Sequence, residues 1–140
     1  MAVSYNALDV PFPKIKRRLT TKWIYLAIEK NHKKVGDISY VFCSDEEILK
    51  INKQYLNHAY YTDIITFDYS EGDKLSGDLF ISLDTVKSNS EKFKTNYNEE
   101  LRRVMIHGIL HLCGYEDNTP MKKKTLHLKE DELLELFNSQ

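Results

Sequence analysis

Cysteine is scarce in this chain: Cys43 and Cys113 are the only two among 140 residues, too few for a disulfide framework. They read as reduced thiols, and a cytoplasmic protein is expected. No apolar run approaches the roughly 20 residues of a membrane span, so the chain is expected not to cross a bilayer. The N-terminal stretch MAVSYNALDVPFPKIKRR lacks an apolar segment between a basic flank and a cleavage site, so no secretory signal is expected. Internal repeats, low-complexity tracts and long Gly/Ser linkers are missing as well. A chain of this length can bury a real core, and one domain over residues 1–140 is expected. A dominant charge sign is also lacking, since the net charge is −1. Global charge therefore gives no argument for a polyanionic partner. Residues 1–34, however, carry eight basic side chains against Asp9 and Glu29, a local excess of +6. Such asymmetry suits a nucleic-acid face. A solvated helix surface is the commoner cause, and charge alone decides nothing.

The pattern of apolar residues gives the elements. Val3–Leu8 reads as a short strand ended by Pro11-Phe12-Pro13. Lys14–Asn31 reads as a helix, with Ile15, Leu19, Trp23, Leu26 and Ala27 on one stripe. Asp37–Cys43 is strand-like, and Ser44-Asp45-Glu46-Glu47 is a capping box that opens a helix to about Leu56. Asp63–Tyr69 and Asp78–Leu83 are strands separated by a Gly72/Gly77 loop, expected antiparallel. Asp84 caps a helix to about Lys94, and Glu99 and Glu100 suit the first turn of the next. Thr119-Pro120 starts a last helix to Leu136. Strand, helix, strand, helix, two strands and three helices predict an α+β (mixed α/β) fold. About four strands would form a small mixed sheet covered by helices.

The chemistry concentrates in Val104-Met105-Ile106-His107-Gly108-Ile109-Leu110-His111-Leu112-Cys113-Gly114-Tyr115-Glu116-Asp117. Four helical residues turn through about 400°, so His107 and His111 lie about 40° apart on successive turns. The helix around them is apolar on nearly every side, which predicts burial. Two buried histidines need partners, and a metal satisfies both. Gly114 falls where the helix should stop, because glycine takes the left-handed conformation cheaply. The chain can then turn back and bring Asp117 to the ion. H-x-x-x-H-x-x-G-x-x-D has the arithmetic of the metzincin motif with Asp in third place. Three protein ligands leave a position for water, as catalytic sites do. The plainer alternative, two satisfied core histidines and a surface Asp, is outweighed by the glycine and third ligand in register.

A zinc protease of this kind has Glu directly after the first His as general base; here that position is Gly108. Classical proteolysis is therefore disfavoured, and the sequence assigns no catalytic base. Cys113 lies about 240° around the helix from His107, so it is expected to be an inert buried thiol. His58, in a polar and aromatic stretch, could donate to a phosphate, although a surface loop histidine is the simpler reading. His32 and His127 show no partner and are not taken as ligands.

His107-Gly108-x-Leu110-His111-Leu112-x-Gly114-Tyr115 resembles the signature of the YbeY family of bacterial endoribonucleases. Ile51-Asn52-x-x-Tyr55, Thr62-Asp63-Ile64-Ile65-Thr66-Phe67 and Gly77-Asp78-Leu79-Phe80-Ile81 extend the resemblance, in the family's order, over roughly residues 38–117. It implies a zincin-like α+β fold, one zinc ion and a cytoplasmic location. It also implies a single-strand-specific endoribonuclease of rRNA maturation, acting at the 16S rRNA 3′ end and in ribosome quality control. RNA, as an rRNA precursor, and the small ribosomal subunit would be its partners. Two departures stand out. The family's third ligand is commonly His where this chain has Asp117, and a carboxylate binds zinc well. The family also commonly has an arginine, associated with RNA contact or catalysis, where this chain has Leu56. Leucine cannot bind a phosphate, so His58 or a basic residue elsewhere substitutes, or activity differs.

The sequence thus predicts a metal-dependent RNA hydrolase with His107, His111 and Asp117 on zinc; nickel or another transition metal suits the same donors. A metal-dependent hydrolase of another substrate is a second reading, against which Gly108 speaks. A ribosome-assembly binding protein with a structural metal is a third.

Overall fold

The computed structural model describes residues 2–56 and 62–140, Leu56 by its backbone alone. His58 lies outside the described residues. The order of elements is β1 (Ala2–Ala7), α1 (Arg17–Lys30), β2 (Lys34–Cys43), α2 (Asp45–Ile51), a π-helical extension (Asn52–Leu56), β3 (Ile64–Asp68), β4 (Lys74–Ser82), α3 (Leu83–Lys92), α4 (Tyr97–Leu112) and α5 (Pro120–Asn138). The predicted succession of strands and helices is present throughout. The sheet is mixed, in the order β1-β2-β4-β3. β1 and β4 both run parallel to β2, and β3 runs antiparallel to β4. The chain must therefore cross over between β1 and β2 and again between β2 and β4, and helices make parallel crossovers possible.

Several boundaries differ from those read in sequence. α1 begins at Arg17, not Lys14, because no side chain caps it earlier and the preceding residue Lys16 is extended. Lys14 and Lys16 thus precede the helix. β4 begins at Lys74, and Gly77 lies inside it, paired with Ile38 and Asp68, rather than in the loop. Ser82, not Asp84, caps α3: its hydroxyl accepts from the Thr85 N–H. Asp84 instead accepts from the Asp45 N–H at the start of α2, so its charge serves the neighbouring helix. Ser44 does accept from the Glu47 N–H, but its own N–H donates to Asp9, just beyond β1. The reciprocal half of the capping box is therefore replaced by a long-range bond.

One face of the sheet carries the main core, where Trp23, Ile24, Tyr40, Leu79, Met105 and Ile109 are fully buried. α1, α4 and α5 contribute to it. Two buried donors tie these layers: Trp23 Nε1–H to the Leu133 carbonyl at 2.6 Å and Tyr40 O–H to the Met105 carbonyl at 2.9 Å. An aromatic ring buried with its polar atom satisfied adds packing area without a desolvation penalty. The opposite face is covered more lightly, with Cys43, Ile48, Ile51 and Ile65 forming a second cluster beneath α2.

Candidate metal centre

α4 positions the first two candidate ligands. Asn96 caps the helix, its side-chain oxygen accepting from the Asn98 and Glu99 N–H groups. Glu99 and Glu100 then stand in the first turn, where the helix dipole favours them. The helix ends as expected: Gly114 has φ +104°, the Tyr115 N–H reaches the Leu110 carbonyl, and the Gly114 N–H reaches that of His111. This paired bonding at a left-handed glycine reverses the chain. Asp117 returns beside the two imidazoles.

Ligand-type atoms of His107, His111 and Asp117 all lie within 4.8 Å of one another. The two Nε2 atoms are 2.9 Å apart, and Asp117 Oδ2 lies 3.8 Å from His107 Nε2 and 3.7 Å from His111 Nε2. Bonds of about 2.0–2.1 Å to a tetrahedral ion would separate its donors by about 3.3 Å, which the observed distances bracket. Two imidazole nitrogens and a carboxylate therefore fit a first-row ion such as zinc. The side chains are 24%, 30% and 45% exposed, so the predicted burial of the histidines is only partial. α4 buries its apolar faces and presents this pair at an open edge.

Charge around the pair is unequal. Burial would lower the His107 pKa, but the hydrogen bond and charge of Glu130, with Asp63 and Asp117, hold it above the usual histidine value. His111 is lowered, by burial first and then by the neighbouring His107. Asp63, immediately before β3, is raised by burial despite the pull of His107.

Gly108 has a packing reason. A Cβ there would lie 2.3 Å from Leu79 Cδ2 and 2.8 Å from Ile64 Cδ1, so the glycine lets α4 press directly on β3 and β4. The position at which a peptidase carries its glutamate faces the sheet core. Cys113 is partly buried and outside the ligand cluster, and burial pushes its thiol up to about 11.

Glu130, on α5, escaped the sequence reading. It is 5% exposed, and its Oε2 lies 2.6 Å from His107 Nδ1. Its other oxygen accepts from Arg103, which also donates to Asp131. His127 does have partners, lying 3.3 Å from Arg103 and 3.7 Å from Asp131. The signal was present: Glu130 interrupts the buried stripe of Leu126, Leu133 and Leu134. A carboxylate on an apolar stripe calls for a buried partner. Five of the eight basic residues of positions 1–34 line two depressions. Lys14 and Lys16 line one with Arg102, and Arg17, Arg18 and Lys22 line another.

A helix bearing two histidines one turn apart, stopped by a glycine and followed by a returning carboxylate, has the arrangement of the zincin-like metal hydrolases. Within that class the chain belongs to the YbeY family: the profile described as "Endoribonuclease YbeY" matches residues 6–138. It is 57% identical to the endoribonuclease YbeY of Parabacteroides distasonis, covering 98% of this chain and 96% of the relative. It is 55% identical to that of Bacteroides fragilis, covering 96% of each. A solution structure from Thermotoga maritima shares the fold, with a TM-score of 0.69 at 24% identity, over 97% of this chain and 89% of that one.

Proposed function

We propose that this chain is a single-domain, zinc-dependent endoribonuclease. It cuts single-stranded RNA in rRNA maturation, at the 16S rRNA 3′ end, and takes part in ribosome quality control in the cytoplasm. Its partners are then the rRNA precursor and the small ribosomal subunit. The observation that carries the reading is the convergence of His107, His111 and Asp117 at a partly exposed edge of α4 in a chain of this family. The three residues would hold the ion, and when bound it would supply Lewis acidity against charge developing on the phosphoryl oxygens. The chain's own contribution is to orient the donors: Glu130 accepts the Nδ1 proton of His107, leaving Nε2 free to ligate. The exposure of all three side chains leaves a route for a polymer, whereas a structural zinc site is closed by four protein ligands. Gly108, packed on Leu79 and Ile64, has no room for the base of a peptidase.

The test is cleavage of single-stranded and duplex RNA by zinc-loaded protein, with Asp117→Ala as control. Cutting of the single strand that the variant loses supports the reading. Equal cutting by both proteins, or none by either, refutes it.

A further inference from the structure

Glu130 is a carboxylate on the buried face of α5, flanked by Leu126, Leu133 and Leu134. Desolvating that charge is costly, and a buried ion pair is often no more stabilising than apolar side chains of similar size in its place, so it is weak evidence of a purely structural role. Both oxygens are engaged. Oε2 faces His107 Nδ1 at 2.6 Å, and Oε1 accepts from Arg103 Nη1 at 3.0 Å. Arg103 uses its other amino group on Asp131 Oδ1, at 2.6 Å, so its fork spans two carboxylates one residue apart on α5. Arg103 and His107 are themselves one turn apart on α4. The result is a polar chain across two helices, running His107–Glu130–Arg103–Asp131. An imidazole that gives its Nδ1 proton to a carboxylate keeps a lone pair on Nε2, the atom that faces His111 and Asp117.

We infer that Glu130 is a positioning residue of the metal centre, holding His107 in the tautomer and orientation that present Nε2 to the ion, and that Arg103 acts through Glu130. This rests on the proposed reading of the cluster as a metal site. This chain of contacts joins α5 to a site whose ligands all come from α4 and the turn after it. Its effect is to make metal affinity depend on the docking of the C-terminal helix.

The experiment is zinc affinity of the full-length protein, by competition with a chromophoric chelator. The proteins are the parent, Glu130→Gln, Arg103→Ala and the double variant. Ring-nitrogen NMR of His107 and the melting temperature are recorded on the metal-free forms. Glu130→Gln is expected to weaken zinc binding about 10–100-fold and to raise the population of the Nε2–H tautomer. The metal-free fold should melt close to the parent. Arg103→Ala should weaken zinc less, and should add nothing in the Glu130→Gln background, as two members of one network do. A purely structural Glu130 would lower the melting temperature and leave affinity and tautomer alone. If Glu130→Gln binds zinc within twofold of the parent, the inference fails while the metal reading stands. If the parent itself binds no zinc, the metal reading fails and takes the inference with it. Should Glu130→Gln not fold, Arg103→Ala reads the same affinity with Glu130 in place, and an unchanged value overturns the inference.

Discussion

Gly108→Ala sets two known effects against each other at one position. Alanine is better than glycine inside a helix by about 1 kcal/mol, so at an exposed site the change stabilises. At Gly108 the added methyl would lie 2.3 Å from Leu79 Cδ2 and 2.8 Å from Ile64 Cδ1. Carbon atoms rest about 3.5–4.0 Å apart, so both methyl groups would have to retreat by roughly an ångström. Leu79 is fully buried, and it can retreat only by disturbing its neighbours or lifting α4 from the sheet. Overpacking of this kind costs about 1–3 kcal/mol, and two simultaneous contacts place it at the upper end. The net expectation is destabilisation by about 2 kcal/mol, or a melting temperature lower by about 5–8 °C. The assay is denaturant unfolding of metal-free protein, since bound metal would add its own stabilisation. Trp23 is the only tryptophan and is wholly buried, so its fluorescence reports the loss of the core. A variant more stable than the parent by about 1 kcal/mol, as an unhindered helix glycine would give, refutes the close-packing argument.

Asp117→Ala should lose most of its zinc affinity whereas Asp117→His should keep it, because imidazole suits the same tetrahedral position; equal affinity of Asp117→Ala and parent by chelator competition excludes Asp117 as ligand. Stripping metal with a chelator should abolish RNA cleavage and lower the melting temperature, and zinc should restore both; cleavage that persists in demonstrably metal-free protein contradicts the proposed chemistry. Replacing Arg17 and Arg18, which line one exposed depression, with alanine should weaken RNA binding and flatten its salt dependence by about 0.7 in log–log slope per lost phosphate contact. Parallel plots of equal height would make this cluster a solvated face. Burial pushes the Cys43 thiol up to about 12, so the folded state holds its proton more tightly than the unfolded chain. Its stabilising effect is complete below the ordinary thiol value of 9.0 and is lost as pH rises from there towards 12. A Cys43→Ala variant should therefore show a shallower decline of stability in that range, and identical profiles would contradict the assignment.

What the sequence determined by itself is local. His107, His111, Gly114 and Asp117 span eleven positions of one helix and its exit turn, so the helical repeat and the left-handed tolerance of glycine suffice to bring them together. The order of strands and helices was legible for the same reason, since alternation and the 3.6-residue repeat are properties of short windows. What only the tertiary structure decided are the contacts that no window contains. β4 lies between β2 and β3, which requires it to pair with a strand distant in sequence. Ser82 displaces Asp84 as the cap of α3 because α2, arriving from 39 residues earlier, claims the Asp84 carboxylate. Gly108 read as a missing base until Leu79 and Ile64 were found against it. Glu130 escaped the sequence reading because only the packing of α5 brings it, across 23 residues, to His107. Helix geometry placed the candidate ligands, whereas the partners that orient them depend on helix docking. Docking is the work of the whole core, so no stretch of sequence states it alone.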